Sequence, residues 1–164
     1  MTKWGSCDFR ELKKFQEKLE KLSKAEINKF CIDVSKELAA RLLRKVIKRT
    51  PVGQYSSGSG YVGGTLRRGW TAKTEEEAKN GKGQGKNIID WVNELPIQKK
   101  GNIFQIDVTN IVNYSGYVEH GHRTRNHKGW VEGKFMLTIS TKEINAMLPK
   151  FIEQKLIELL SEVF

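Results

Sequence analysis

Three histidines fall within one stretch, Glu119-His120-Gly121-His122-Arg123-Thr124-Arg125-Asn126-His127, where imidazoles and a carboxylate lie close enough in sequence to offer ligands to a divalent metal. A hydrolytic centre built there would make the chain a metal nuclease. Such a centre needs further carboxylates or histidines on rigid elements, and this run is interrupted by Gly121 and crowded by arginines that oppose a cation. No metal site is therefore expected. Gly58, Gly60 and Gly63 match the spacing GxGxxG, which in a dinucleotide-binding fold joins a strand to the helix that receives the pyrophosphate. Here the glycines follow a helical pattern and lead into a strand-like one, and the later GKGQGK lacks the GK[ST] ending of a phosphate-binding loop. Cys7 and Cys31 have no base beside them in sequence, no CxxC pair occurs and no GxSxG element is present. The chain reads as a non-enzyme that takes no cofactor.

The remaining chemistry is charge. Lys and Arg number 29 against 19 Asp and Glu, a formal charge of +10, which attracts a polyanion or an acidic protein surface and also favours solubility. Arg41, Arg44, Lys45, Lys48 and Arg49 crowd the end of one helical pattern, where cations complement the negative pole of the helix dipole. Single-strand binders interleave aromatics among such charges, and this helix does not. Specific nucleic-acid recognition is not expected, and a basic DNA-binding or metal-nuclease accessory protein is kept as the alternative reading.

The elements that must position these residues are read from periodicity. Residues 8–22 form an amphipathic helical pattern opened by Asp8 and Glu11 as a capping box. A second helix over 24–49 carries the stripe Ile27, Phe30, Cys31, Val34, Leu38, Leu42 and Val46, and Pro51 closes it. Residues 52–64 are too rich in glycine and serine to pack and are expected to be a mobile loop. Leu66 to Thr74 reads as a strand carrying Trp70 and pairing with Asn102 to Thr109, within a sheet region over 66–120 that includes a peripheral excursion at 75–101. A C-terminal helix over 140–163, with Ser140 and Glu143 as its capping box, is expected to kink or begin at Pro149. The fold class is α+β: an N-terminal helix pair and a C-terminal helix on a small, mainly antiparallel sheet, in one domain over 1–164. The start lacks the apolar run of a signal peptide and no stretch reaches the roughly 20 apolar residues of a membrane span, so synthesis in the cytoplasm and no membrane partner are expected.

Three blocks recur in a telling order: Thr50-Pro51-Val52, then Gly64-Thr65-Leu66-Arg67-Arg68-Gly69-Trp70, then Asn113-Tyr114-Ser115-Gly116-Tyr117-Val118-Glu119-His120-Gly121-His122-Arg123. Their order and spacing over roughly residues 24–160 resemble the neck and tail-completion family of tailed bacteriophages. Two departures from the family pattern are the insertion QYSSGSGYVG after the first block and the long excursion between the second and third. The resemblance implies a virion protein made in the bacterial host. It implies a homo-oligomeric ring, hexameric or dodecameric, at the head–tail junction or tail end, bridging connector or adaptor to tail tube, tail terminator or sheath. It carries over no catalytic residue. Within the blocks, Leu66, Trp70, Tyr114, Tyr117 and Val118 suit the core, and Gly121 suits a turn after Glu119. Arg67, Arg68, Glu119 and Arg123, with Tyr55 and Tyr61 in the inserted loop, suit contact between subunits.

Overall fold

The computed structural model describes residues 13–14, 16–17, 24–60, 63–81 and 88–163. The helix expected over 8–22 falls largely outside them, although residues 13, 14, 16 and 17 are helical, and Cys7 and Tyr61 lie outside them entirely.

Two long helices carry the architecture. Helix α1 spans Lys24–Arg49 and ends at the residue before Thr50, where the following proline bars further helical geometry. Its buried positions Ala39, Leu43 and Val46, continued by Thr50 just past its end, form a stripe set slightly round from the expected one, while Ile27 stands exposed. The last helix, labelled α6 below, spans Met136–Val163 and runs antiparallel to α1. Lys155 meets Glu37 at 3.3 Å near one end, and Arg49 and Lys45 each meet Glu143 at 2.7 Å near the other. Between these, the Arg41 guanidinium lies over the Phe151 ring, 4.7 Å from its centre. The expected start of this helix is corrected here. Ser140 is not a cap but an interior residue whose hydroxyl donates to the Met136 carbonyl, and Pro149 sits exposed within the helix.

Short elements fill the space between them. In order they are α2 (Thr65–Arg68), α3 (Glu75–Lys79), α4 (Ile88–Glu94), β1 (Gln98–Lys100), β2 (Ile103–Gln105), α5 (Ser115–His120), β3 (Gly121–Arg123) and β4 (Trp130–Glu132). The strands make two separate antiparallel pairs, β1 with β2 and β3 with β4. The class is α+β with antiparallel strands, as expected. The strand expected at Leu66 to Thr74 does not form. Its first residues make the single turn of α2, and Trp70 follows in a turn. Its expected partner pairs instead with Gln98–Lys100, the nearest chain in sequence, through a tight turn at Gly101 (φ +62°).

The 75–101 segment is not peripheral. Ala78 of α3 and Val92 of α4 are fully buried in one cluster with Ala39, Leu43 and Val46 of α1, and with Leu66, Trp70, Val112 and Met136. Thr74 caps α3 by accepting a hydrogen bond from the Glu77 amide at 3.2 Å. Among the described residues no helix is long and apolar enough to cross a membrane.

Candidate functional site

The three sequence blocks converge at the end of the molecule where α1 stops and α6 starts. Thr50 is the centre of the first junction. Its hydroxyl donates to the Val46 carbonyl at 2.7 Å and accepts from the Trp70 indole Nε1 at 2.8 Å. Its carbonyl, one of the orphan acceptors at a helix C-terminus, accepts from Arg67 Nη2 at 2.7 Å and Nε at 3.2 Å. A guanidinium at this pole also complements the helix dipole. Leu66 and Trp70 are both buried here, and Trp70 is only 4% exposed.

Arg68, at 5% exposure, is buried rather than offered to a neighbour. Its Nε donates to the Ala78 carbonyl at 2.6 Å and its Nη1 to the Gly63 carbonyl at 3.0 Å, so it ties the foot of the inserted loop to α3. Asn110 closes the junction by donating to the Leu66 carbonyl at 2.8 Å and accepting from the Val112 amide at 3.0 Å. Gly69 is required by space: a Cβ there would collide with Asn110 Oδ1 and Val112 Cγ2.

Glu119 forms the second junction. It is buried on α5, and its carboxylate accepts from the Leu137 amide at 2.9 Å, the Thr138 amide at 2.8 Å and the Thr138 hydroxyl at 2.8 Å. A residue seventeen positions upstream of Met136 thus caps the N-terminus of α6, placing a negative charge at the positive pole of a 28-residue helix. Burial pushes the Glu119 carboxyl up, and the Leu137 and Thr138 hydrogen bonds outweigh it, so its pKa lies below the usual carboxylate value. Gly121 (φ +86°) turns the chain directly afterwards, where a Cβ would meet the Val131 carbonyl. The amides of Lys134 and Phe135 donate to the Val118 and Glu119 carbonyls, returning the β3–β4 hairpin to the start of α6.

Arg67, Arg68 and Glu119, expected as contact residues, are therefore engaged within the subunit. Tyr114 and Tyr117, expected in the core, face outward at 39% and 62% exposure, while Val118 is half-buried. Arg123 and Tyr55 are exposed. Beside Tyr117 stands the His122 ring, edge-on at 6.0 Å between centres, and the two share a shallow hollow with Tyr114, Val118 and Arg123. Across the strand pair Arg123 faces Trp130, which is 60% exposed. Trp130 was missed in the sequence, although a tryptophan set in the polar turn Asn126-His127-Lys128-Gly129 carries the composition of an exposed aromatic. The surface this creates is aromatic with basic edges, suited to burial against another protein.

No group of histidine, cysteine and carboxylate side chains able to hold a metal ion occurs among the described residues. Gly58 and Gly60, with φ of +92° and +72°, lie in an exposed loop and not at a strand-to-helix turn. Of the basic cluster on α1, Arg41, Lys45 and Arg49 hold carboxylates of α1 and α6, whereas Arg44 and Lys48 are exposed.

A family model described as "Bacteriophage HK97-gp10, putative tail-component" matches residues 13–121, more than half of the chain. No curated protein and no solved structure matches it.

Proposed function

We propose that this chain, which belongs to the bacteriophage HK97 gp10-like family of tail components, works by assembly as a non-catalytic subunit of a ring at the head–tail junction or tail end. The observation that carries the reading is the division of the motif residues. The polar groups of Thr50, Arg67, Arg68 and Glu119 are engaged in holding helix ends, while Tyr117 and Trp130 are turned outward. Charged groups fixed in this way stiffen a subunit and leave little for chemistry on a substrate. Exposed aromatics with a polar handle are the residues protein interfaces favour.

In this reading the partners are further copies of the chain together with connector or adaptor, tail tube, terminator or sheath proteins of the same particle. The chain acts in the virion after synthesis in the host. A phage deleted for this gene should yield heads and tails that fail to join, or tails with a defective end, by electron microscopy. Supplying the chain in trans should restore joined particles. Normal particles from the deletion would overturn the reading.

A further inference from the structure

The hairpin β3–β4 and the far end of the helix pair carry opposite charge. The hairpin presents the exposed cations Arg123, Arg125 and Lys128 around exposed Trp130. At the other end, between the first turns of α1 and the last turns of α6, lies a groove of about 450 Å³ whose floor includes Phe30 and Leu159. Carboxylates, among them Asp33, Glu158 and Glu162, outnumber lysines along its rim, in a chain whose overall charge is +10. Leu156 and Ile157 stand exposed on the same stretch of α6.

We propose that the hairpin of one copy seats in the α1–α6 groove of the next, with Trp130 on the apolar floor and the three cations toward the carboxylate rim. The occupant is a second copy because geometry and charge exclude the simpler arrangements. The hairpin joins α6 at Met136 and the groove lies near Leu159, about 35 Å along the helix at 1.5 Å per residue, so a hairpin cannot reach its own groove. A contact of hairpin with hairpin would set cations against cations, and one of groove with groove would set carboxylates against carboxylates. Hairpin to groove is the pairing that joins opposite charges, and such a head-to-tail contact closes into a ring when its rotation permits. The inference rests on the ring reading above and supplies the two faces that reading needs.

The test uses full-length protein in two charge-reversed forms: a hairpin variant with Arg123→Glu and Arg125→Glu, and a groove variant with Asp33→Lys and Glu162→Lys. All four side chains are exposed, so circular dichroism and melting temperature should match the parent. By sedimentation velocity the parent should form an oligomer, and each variant alone should need at least tenfold higher concentration to do so. Mixed one to one, the variants should regain the parent's assembly, because an acidic hairpin now meets a basic groove while the unaltered pair also remains. Oligomers that persist in both variants, or a mixture that stays dissociated, would sink this contact and leave the ring reading standing. A groove variant that loses melting temperature without losing mass would show the groove to be filled within its own chain, and the proposal falls. A parent that remains monomeric at hundreds of micromolar refutes the copy-to-copy contact, while the tail role is judged separately by the gene deletion.

Discussion

Trp70 and Thr50, twenty residues apart, share a 2.8 Å hydrogen bond between indole Nε1 and hydroxyl, fully enclosed in the core. The same hydroxyl donates onward to the Val46 carbonyl, so the last turn of α1, the start of the first block and the tryptophan of the second form one chain of donors and acceptors.

Replacing Thr50 by valine keeps the shape and strands the indole N–H. The expected cost is about 1–3 kcal/mol by urea denaturation, the desolvation penalty of a buried unpaired donor. Trp70→Phe alone removes the donor but leaves a void. A double-mutant cycle should return a coupling of roughly 1 kcal/mol, and additive single effects would mean that the bond contributes nothing to stability.

Glu119→Ala should lower stability by about 1–2 kcal/mol, the usual worth of an N-cap, because the Leu137 and Thr138 amides lose their acceptor and the helix pole loses its counter-charge. Hydrogen exchange at these two amides should rise more than at Phe151 in the middle of α6. Equal change along the helix would contradict a local capping role.

The same carboxylate predicts an acid response. A carboxyl held below its unfolded value of about 4.5 stabilises the fold above that pH, and the contribution is lost as pH falls through the depressed native value. Glu143, lowered by its hydrogen bonds to Lys45 and Arg49, moves in the same direction. So does Glu37, where the hydrogen bonds of Arg41 and Lys155 overcome the effect of burial. Stability measured by urea midpoint should therefore drop between neutral pH and pH 3. In Glu119→Gln the drop should be shallower, since the variant has no proton to take up at that site.

Arg68 and Arg123 should separate cleanly. Arg68→Ala leaves the Ala78 and Gly63 carbonyls without their donor and should lower the melting temperature by several degrees. Arg123→Ala, at an exposed site, should shift stability by no more than about 0.5 kcal/mol. Two variants with equal melting temperatures would show that the Arg68 network is not holding the loop foot.

Much of the fold was legible where a long period could speak. The stripe through Val46 and the proline at 51 set the end of α1 correctly, and the C-terminal stripe set most of α6. Leu66 to Thr74 misled because a four-residue helix has no period to display, and the Trp70 that follows it has the composition of a strand. Ser140 and Glu143 have the spacing of a capping box, but the cap came from Glu119, a tertiary partner that no local spacing can reveal. Arg68 looked like surface because arginine usually is, and its partners are backbone carbonyls at Gly63 and Ala78, which carry no residue signature. Tyr114 and Tyr117 looked like core because aromatic residues in a motif suit burial, and in this subunit their rings are turned outward. The resemblance in the blocks reached the family, while the division between interior and surface needed coordinates.

The carboxylate on the first amides of α6 also bears on what that helix end can bind. A free helix N-terminus is a ready cradle for phosphate, with amides aimed outward and the dipole behind them. Here Leu137 and Thr138 already hold an anion of their own. An anion arriving at this helix pole would find its first amides already occupied, so what draws a polyanion to this end is the side-chain charge of the hairpin and not the helix dipole.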